Sequence, residues 1–399
     1  MLPIRTWTLI IGSALATPFV AAVHTPNDAI TSGQTALATR VPRRDRAAFQ
    51  VRYAISSVPL FEIGGLEEHG ATELSTNQAR IGGAFLPSGG IAIADVTRVL
   101  FVSASGRVEG RIGRAGGGPG EFREIDALCA TRGDTVVVSD GNQNRLTVLA
   151  PPARLVRVVT HDLSRSMKDH SCFADGRLLI ARGQDQSKPV SRLAPFELDL
   201  RARAVSAWPV MQTAQIVDLV TQPRVSLVTD GRRVYFADGQ RSEVQVMARG
   251  GRPVRTIAIA EPIIPISAGD RERALDRTIP RNVQGSARRA ILSRDLARSS
   301  RATWPTLARL LPEANGRLWI QRYRKRSDAS PFASDEWIAV DSTGRVAGQL
   351  TLPPPVLRDR RPTELLDVQG DRVLIKRMDD DGAVRVAVHR LIATNAPSR

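Results

Sequence analysis

Three histidines are the first residues whose types could do chemistry. His69, His161 and His170 stand in polar stretches beside Glu67, Glu68, Asp162 and Asp169. Imidazole and carboxylate together form the donor set of many divalent-metal sites, where a bound water is activated for hydrolysis or elimination. The step from His161 to His170 matches no metal-ligand spacing, and loop imidazoles are usually just solvated. The primary expectation is therefore that the chain binds no metal and no cofactor. The alternative is a metal-dependent lyase or hydrolase in which these three histidines converge.

A second set repeats. Asp95, Asp140 and Asp238 each end an apolar run, and Arg182, Arg322 and Arg377 stand near the corresponding place in three other runs. Repetition argues for structure, because catalytic or metal sites need an irregular set that breaks a repeat. A carboxylate there can accept backbone N–H bonds in the following turn, or pair with Arg145, five residues beyond Asp140. The same reasoning covers Glu121. Other signatures are missing: the sequence has no Gly-x-Ser-x-Gly, no His-Glu-x-x-His and no Gly-x-x-x-x-Gly-Lys. His170 lies two residues before Cys172, but a thiol carried on a strand and buried or bridged is a poor nucleophile. The glycines of 116–120 lack the helix N-terminus that cradles a phosphate. No catalytic residue is assigned.

The elements that must position these groups are short strands. Between residues 110 and 160 a glycine-rich corner (Gly116-Gly117-Gly118-Pro119-Gly120-Glu121-Phe122) precedes the turn Gly133-Asp134, a β-branched run to Asp140, and an alternating run from Arg145 to Leu149. This order resembles the repeat of NHL-type six-bladed β-propellers, in particular the secreted bacterial kind. The resemblance implies an all-β ring of six four-stranded blades over 51–392, with the glycine corner and Asp140 on one rim.

On that reading, blade one spans Ile81–Ile112 and blade two is the stretch just described. Blade three uses Cys172-Phe173, Arg177–Arg182, Pro195–Leu200 and Ala204–Val210. Blade four uses Val225–Ile259, blade five Leu307–Leu352, and blade six Glu364–Leu391. The last blade is one strand short, and Val58–Ile63 has no blade of its own. Pro59–Ile63 is therefore expected to pair with Val384–Leu391 and close the ring, removing exposed edges. Cys129 and Cys172 precede equivalent turns in successive blades, to within about one residue, on strands that converge at the axis. A disulfide between them is expected, two buried thiols being the alternative. The histidines then share one rim with Glu121. Histidines from several blades over a channel resemble the metal sites of amidating lyases and of the gluconolactonase group.

Residues 267–301 break the strand pattern. Arg273–Thr278 and Ala287–Ala297 read as short helices, with Asp270 and Ser286 as N-caps and Pro280 between them. The insert carries nine arginines against four acids, which fits a solvated cap on one rim or a basic lid over the channel.

Net charge is +16, from 56 Lys and Arg against 40 Asp and Glu. Only Lys168, Lys188, Lys325 and Lys376 are lysine, and arginine is spread throughout. A nucleic-acid binder would concentrate charge on one face with interleaved aromatics, which make up only 5% here. Nucleic acid is thus not an expected partner. Residues 1–22 read as a signal peptide: Arg5, the apolar run Thr8–Val20, and a small-residue site at Val20-Ala21-Ala22. Residues 23–50 read as a flexible leader and 393–399 as a tail. The expectation is an exported, monomeric binding module, periplasmic or extracellular, for an unknown protein, peptide or glycan, and not transmembrane after cleavage.

Overall fold

Short apolar runs cut by Gly- and Asp-led turns can satisfy their backbone only by pairing with one another, and here they do so mostly as antiparallel hairpins. The computed structural model describes residues 37–41, 51–65, 73–75, 81–161, 170–184, 190–201, 203–214, 225–239, 241–259, 261, 263–279, 282–298, 302–323, 333–353, 363–380 and 382–395. Residues 1–22, read as a signal peptide, and His69 lie outside the described residues.

Three strands lead the chain and join sheets built later: β1 (Leu37–Val41), β2 (Val51–Ile55) and β3 (Phe61–Gly64). The first complete sheet is β4 (Ile81–Phe85), β5 (Ile91–Asp95), β6 (Arg98–Val102) and β7 (Val108–Ile112), in that order. The second is β8 (Ala127–Ala130), β9 (Val136–Asp140), β10 (Arg145–Ala150) and β11 (Arg154–Thr160). The third contains β12 (Ser171–Cys172), β13 (Leu178–Gln184), β14 (Val190–Leu198) and β15 (Ala204–Ala207), with β16 (Met211–Ala214) also pairing β14. The fourth is β17 (Ser226–Thr229), β18 (Arg233–Ala237), β19 (Glu243–Ala248) and β20 (Pro253–Ile259), and β1 lies parallel to β20. At the β17–β18 hairpin the sharp reversal needs Gly231, whose φ is +90°.

A nine-stranded sheet completes the fold. It holds β21 (Leu307–Pro312), β22 (Leu318–Tyr323), β23 (Ala333–Val340) and β24 (Val346–Thr351), then β25 (Glu364–Gln369), β26 (Arg372–Met378) and β27 (Val384–Asn395). β2 joins the two groups, parallel to β24 at Arg52 and Tyr53 and antiparallel to β27 from Leu391 to Asn395. β3 pairs the other end of β27, with Phe61 to Gly64 opposite Val388 to Arg385. The architecture is all-β and propeller-like, with an N-terminal strand on the last sheet as the short final repeat required.

Several boundaries differ from the sequence reading. The leader is not wholly free chain, because Leu37–Val41 adds an outer strand to the fourth sheet. Residues 393–395, read as tail, continue β27 against Val51 to Tyr53. The third sheet replaces the expected Ala204–Val210 run with two shorter strands, and β14 begins five residues early. These departures are non-local pairings, which local pattern does not encode.

The core lies between sheets rather than at one centre. Ile91, Leu100, Leu374 and Val386 pack the first sheet against β25–β27, Phe101, Phe122 and Val138 join the first and second, and Trp319, Trp337, Leu365 and Ile375 fill the space between the two halves of the nine-stranded sheet. Trp319 and Trp337 are fully buried.

The insert forms α1 (Ala268–Thr278) and α2 (Gly285–Arg298). The N-cap of α1 is Ser267, not Asp270. Asp270 is the third helical residue, accepting from the Ser267 N–H at 3.2 Å while donating its own N–H to Ser267 Oγ at 3.1 Å. The predicted cap Ser286 is likewise already inside α2. The hairpin is anchored through Leu292 and Ile266 on the stacked rings of Trp304 and Tyr323, centroids 5.9 Å apart. Among the described residues, no helix is long and apolar enough to cross a membrane.

Candidate functional site

β4, β8, β12, β17, β21 and β25 are the first strands of their groups, each with one edge outside its ladder. Residues of all six border a single cavity of about 620 Å³. Inward-facing N–H and C=O groups on such edges need partners other than a ladder strand. Polar side chains of the neighbouring sheet supply several. The Phe85 N–H donates to Asp367 Oδ2 at 2.8 Å, Lys376 Nζ donates to the Ile81 carbonyl at 2.8 Å, and the Thr229 N–H donates to Ser171 Oγ at 3.0 Å. Between the second and third sheets the tie is covalent. Cys129 and Cys172 are disulfide-bonded, Sγ to Sγ 2.02 Å and Cα to Cα 5.7 Å, as the repeat positions implied.

The charged part of the wall comes from β21, β25 and β26. An extra residue at Ala308 shifts the register of β21, and another at Leu366 shifts β25. Bulges of this kind re-aim the side chains that follow. Those side chains are Arg309 and Asp367, and both line the cavity. Glu364 bridges two cations, Oε1 at 3.2 Å from Arg309 Nη1 and Oε2 at 2.9 Å from Lys376 Nζ. Lys376 is almost fully buried, a position tolerated because Glu364 and the Ile81 carbonyl receive its ammonium. Burial pushes the Asp367 carboxyl up to about 6, although the Phe85 and Val368 N–H groups and the Arg309 charge pull the other way. Such a carboxyl can gain or lose a proton near neutral pH. The small residues Gly82, Gly83 and Ala84 of the adjoining β4, with Ala127 and Ala130 of β8, also line the cavity.

His170 also lines the cavity, next to Ser171 and the bridged Cys172. His161 does not. Its ring packs on Phe196 with centroids 5.8 Å apart, and Nε2 lies 3.2 Å from Arg182 Nη2, a cation that opposes binding of a second one. Glu67, Glu68, His69, Asp162 and Asp169 lie outside the described residues. Among the described residues, no three His, Cys, Asp or Glu side chains form a group able to hold a metal ion.

The repeated aspartates serve turns. Asp140 accepts from the backbone of Arg123 at 2.7 Å and of Gln143 at 3.1 Å, and Asp238 accepts from the Arg241 N–H at 2.9 Å. Asp95 accepts from the Ser75 N–H at 3.1 Å and from Arg98 Nε at 2.8 Å. Of the two roles foreseen for Asp140 the turn bonds form and the pair with Arg145 does not, since Arg145 donates to the carbonyls of Gly117 and Glu121 and so braces the glycine corner. Glu121 closes that corner from inside, accepting the Gly118 N–H at 2.7 Å. That bond and Arg114 hold its carboxyl below the usual range. Arg322 is buried against Glu261 and Glu336, and Arg377 reaches Glu62 at 2.9 Å.

The sequence reading passed over Arg309, Glu364 and Asp367. One signal was present: Lys376 ends the apolar run Val373–Ile375 of a central strand, where a lysine requires a buried carboxylate or carbonyl.

No family model and no curated protein matches this sequence. The chain is similar in structure to a candidate exported protein of Bacteroides fragilis, at 12% identity and a TM-score of 0.51, over 88% of this chain and 99% of that one. It is also similar to virginiamycin B lyase from Staphylococcus aureus (10% identity, TM-score 0.41, 86% and 96%) and to a gluconolactonase from Xanthomonas campestris (11%, 0.43, 86% and 90%). At these identities the similarity concerns the fold alone, and the fold is propeller-like.

Proposed function

We propose that the chain is an exported, monomeric six-bladed propeller of the NHL-like type that works as a binding module, taking a protein, peptide or glycan of the cell envelope at the mouth of its central channel. The nine-stranded sheet counts as two blades on this reading, because Trp319, Trp337, Leu365 and Ile375 pack its halves face to face as the other sheets pack. The observation that carries the proposal is the cavity of about 620 Å³ bordered by all six leading strands, with charged groups of both signs and small residues in its lining. A volume of that order suits a small ligand or one protruding segment of a larger one. The bound pair Cys129–Cys172 supports an oxidising compartment.

Two rims are available. The one near His170 and Asp126 carries the long connections, and the other is made of tight turns at Gly133, Gly231 and Gly316. Rigid scaffolds usually display function on the irregular side. The test is site-specific photocrosslinking in the producing cell, with benzoylphenylalanine replacing His170 in one variant and Arg132 in another. Adducts from position 170 alone are expected. Adducts from position 132 alone, or recovery of the chain only in the cytoplasm, would sink the reading.

A further inference from the structure

Arg309 is more than a tie between the two halves of the nine-stranded sheet. A guanidinium has five N–H donors in a rigid plane. Nη1 donates to Glu364 Oε1 at 3.2 Å and to the Leu365 carbonyl at 2.9 Å, and Nη2 donates to the Leu366 carbonyl at 3.5 Å. Those bonds use both Nη1 hydrogens and one on Nη2. Among the described residues the Nε–H and one Nη2–H take no partner, and Nε and Nη2 together form the edge of a guanidinium that receives a carboxylate with two parallel bonds. Arg309 lines the cavity with its side chain one-quarter exposed, and the Ala308 bulge that aims it there is absent from β4 and β8. Glu364 bridges Arg309 and Lys376, and the Asp367 carboxyl also feels the Arg309 charge.

From this we infer that the Nε–Nη2 edge of Arg309 is a carboxylate subsite within the channel. The inference rests on the channel being the binding site of the proposed function and narrows the ligand to one bearing a carboxylate, either a peptide C-terminus or a small organic acid. The cavity of about 620 Å³ leaves room for the remainder of such a ligand.

Calorimetric titration of the full chain with acetyl-Ala-Ala, with its C-terminal amide, and with acetate tests it. The carboxylate dipeptide is expected to bind at least tenfold more tightly than its amide. Acetate binding equally well per carboxylate would assign the source to small acids, and much weaker acetate binding would assign it to peptide termini. Arg309→Lys keeps the charge and loses the fork, and should weaken the dipeptide at least tenfold with an unchanged circular dichroism spectrum. If that variant does not fold, the dipeptide-to-amide ratio on the wild type decides alone. Equal binding of acid and amide, or no binding of any of the three at millimolar concentration, overturns the subsite. In the last case crosslinks from position 170 would still stand, so failure here is separable from failure of the channel-mouth reading.

Discussion

The backbone N–H of Phe85 donates to the carboxylate of Asp367 across 2.8 Å of space and 282 residues of chain. This bond ties the first complete sheet to the last group of strands, on the side of the sheet edge where no strand can supply a partner. Lys376 and the Ile81 carbonyl repeat the arrangement two turns of the strand pleat away. The ring is thus closed twice, by apolar packing of Ile91, Leu374 and Val386 and by charged side chains that cap an otherwise open inner edge.

That closure makes stability depend on pH in a defined direction. The Asp367 carboxyl is raised to about 6 by burial, so the folded chain holds this proton to higher pH than the unfolded chain does. Its contribution is therefore fully present below about pH 4 and is lost as pH rises through about 6, a change on the order of 2–3 kcal/mol. Asp367→Asn presents one acceptor and one donor, as the protonated acid does, and cannot titrate. Melting temperatures measured from pH 4.5 to 7.5 should show the variant gaining on the wild type as pH rises. Parallel curves would mean that Asp367 does not titrate in this window.

The disulfide joins strands of neighbouring sheets with a sequence separation of 43 residues. Closing a loop of that size removes chain entropy from the unfolded state worth about 4 kcal/mol in the loop-closure model. Cys129→Ser with Cys172→Ser should lower stability by up to that amount in urea denaturation, leaving the far-UV spectrum unchanged. A midpoint within error of the wild type would show that the apolar contacts between the second and third sheets already determine their docking.

How much of this was legible in the sequence depends on the range of the interaction. Hairpins such as Val136–Asp140 with Arg145–Ala150 announce themselves, because turn chemistry at Gly141 to Asn144 sits between two apolar runs and Gly133-Asp134 marks where the first begins. Asp140 and Asp238 were correctly read as structural because they repeat. What escaped was set by non-local pairing: β1 on β20, β2 between β24 and β27, and the bulges at Ala308 and Leu366 that turn Arg309 and Asp367 toward the channel. A bulge adds one residue to a strand without changing its composition, so nothing in the local pattern separates Arg309 from the many solvated arginines of this chain.

The N-terminal strands should differ in importance. β1 adds one parallel strand to the outer edge of the fourth sheet, whereas β3 lies on β27, which also forms the ring-closing sheet. Deleting residues before Val51 is expected to leave a monomer with a modestly lower melting temperature. Deleting residues through Gly64 uncovers both ends of β27 and should cause aggregation, read by light scattering during a thermal ramp. A longer truncation that stayed monomeric and melted like the wild type would contradict this role for β3.

The joint between the two halves of the nine-stranded sheet rests on a residue with no side chain. β2 crosses β24 where a Cβ on Gly348 would come within 2.5 Å of the Tyr53 ring and 2.8 Å of the Val51 carbonyl. Tyr53 in turn meets Trp319 edge to face, with centroids 5.3 Å apart. Gly348→Ala must therefore push β2 outward, weakening its two-residue pairing with β24 and loosening Tyr53 from the aromatic cluster. The expected cost is about 1–3 kcal/mol, the usual range for inserting a methyl group where there is no room. Tyr53→Ala removes the ring but not the clash with the Val51 carbonyl, so the double variant should recover part of the loss and no more. Hydrogen exchange at 51–55 distinguishes this from general destabilisation: faster exchange confined to β2 and the facing residues of β24 is expected, and uniform acceleration across all sheets would show that Gly348 matters for some other reason.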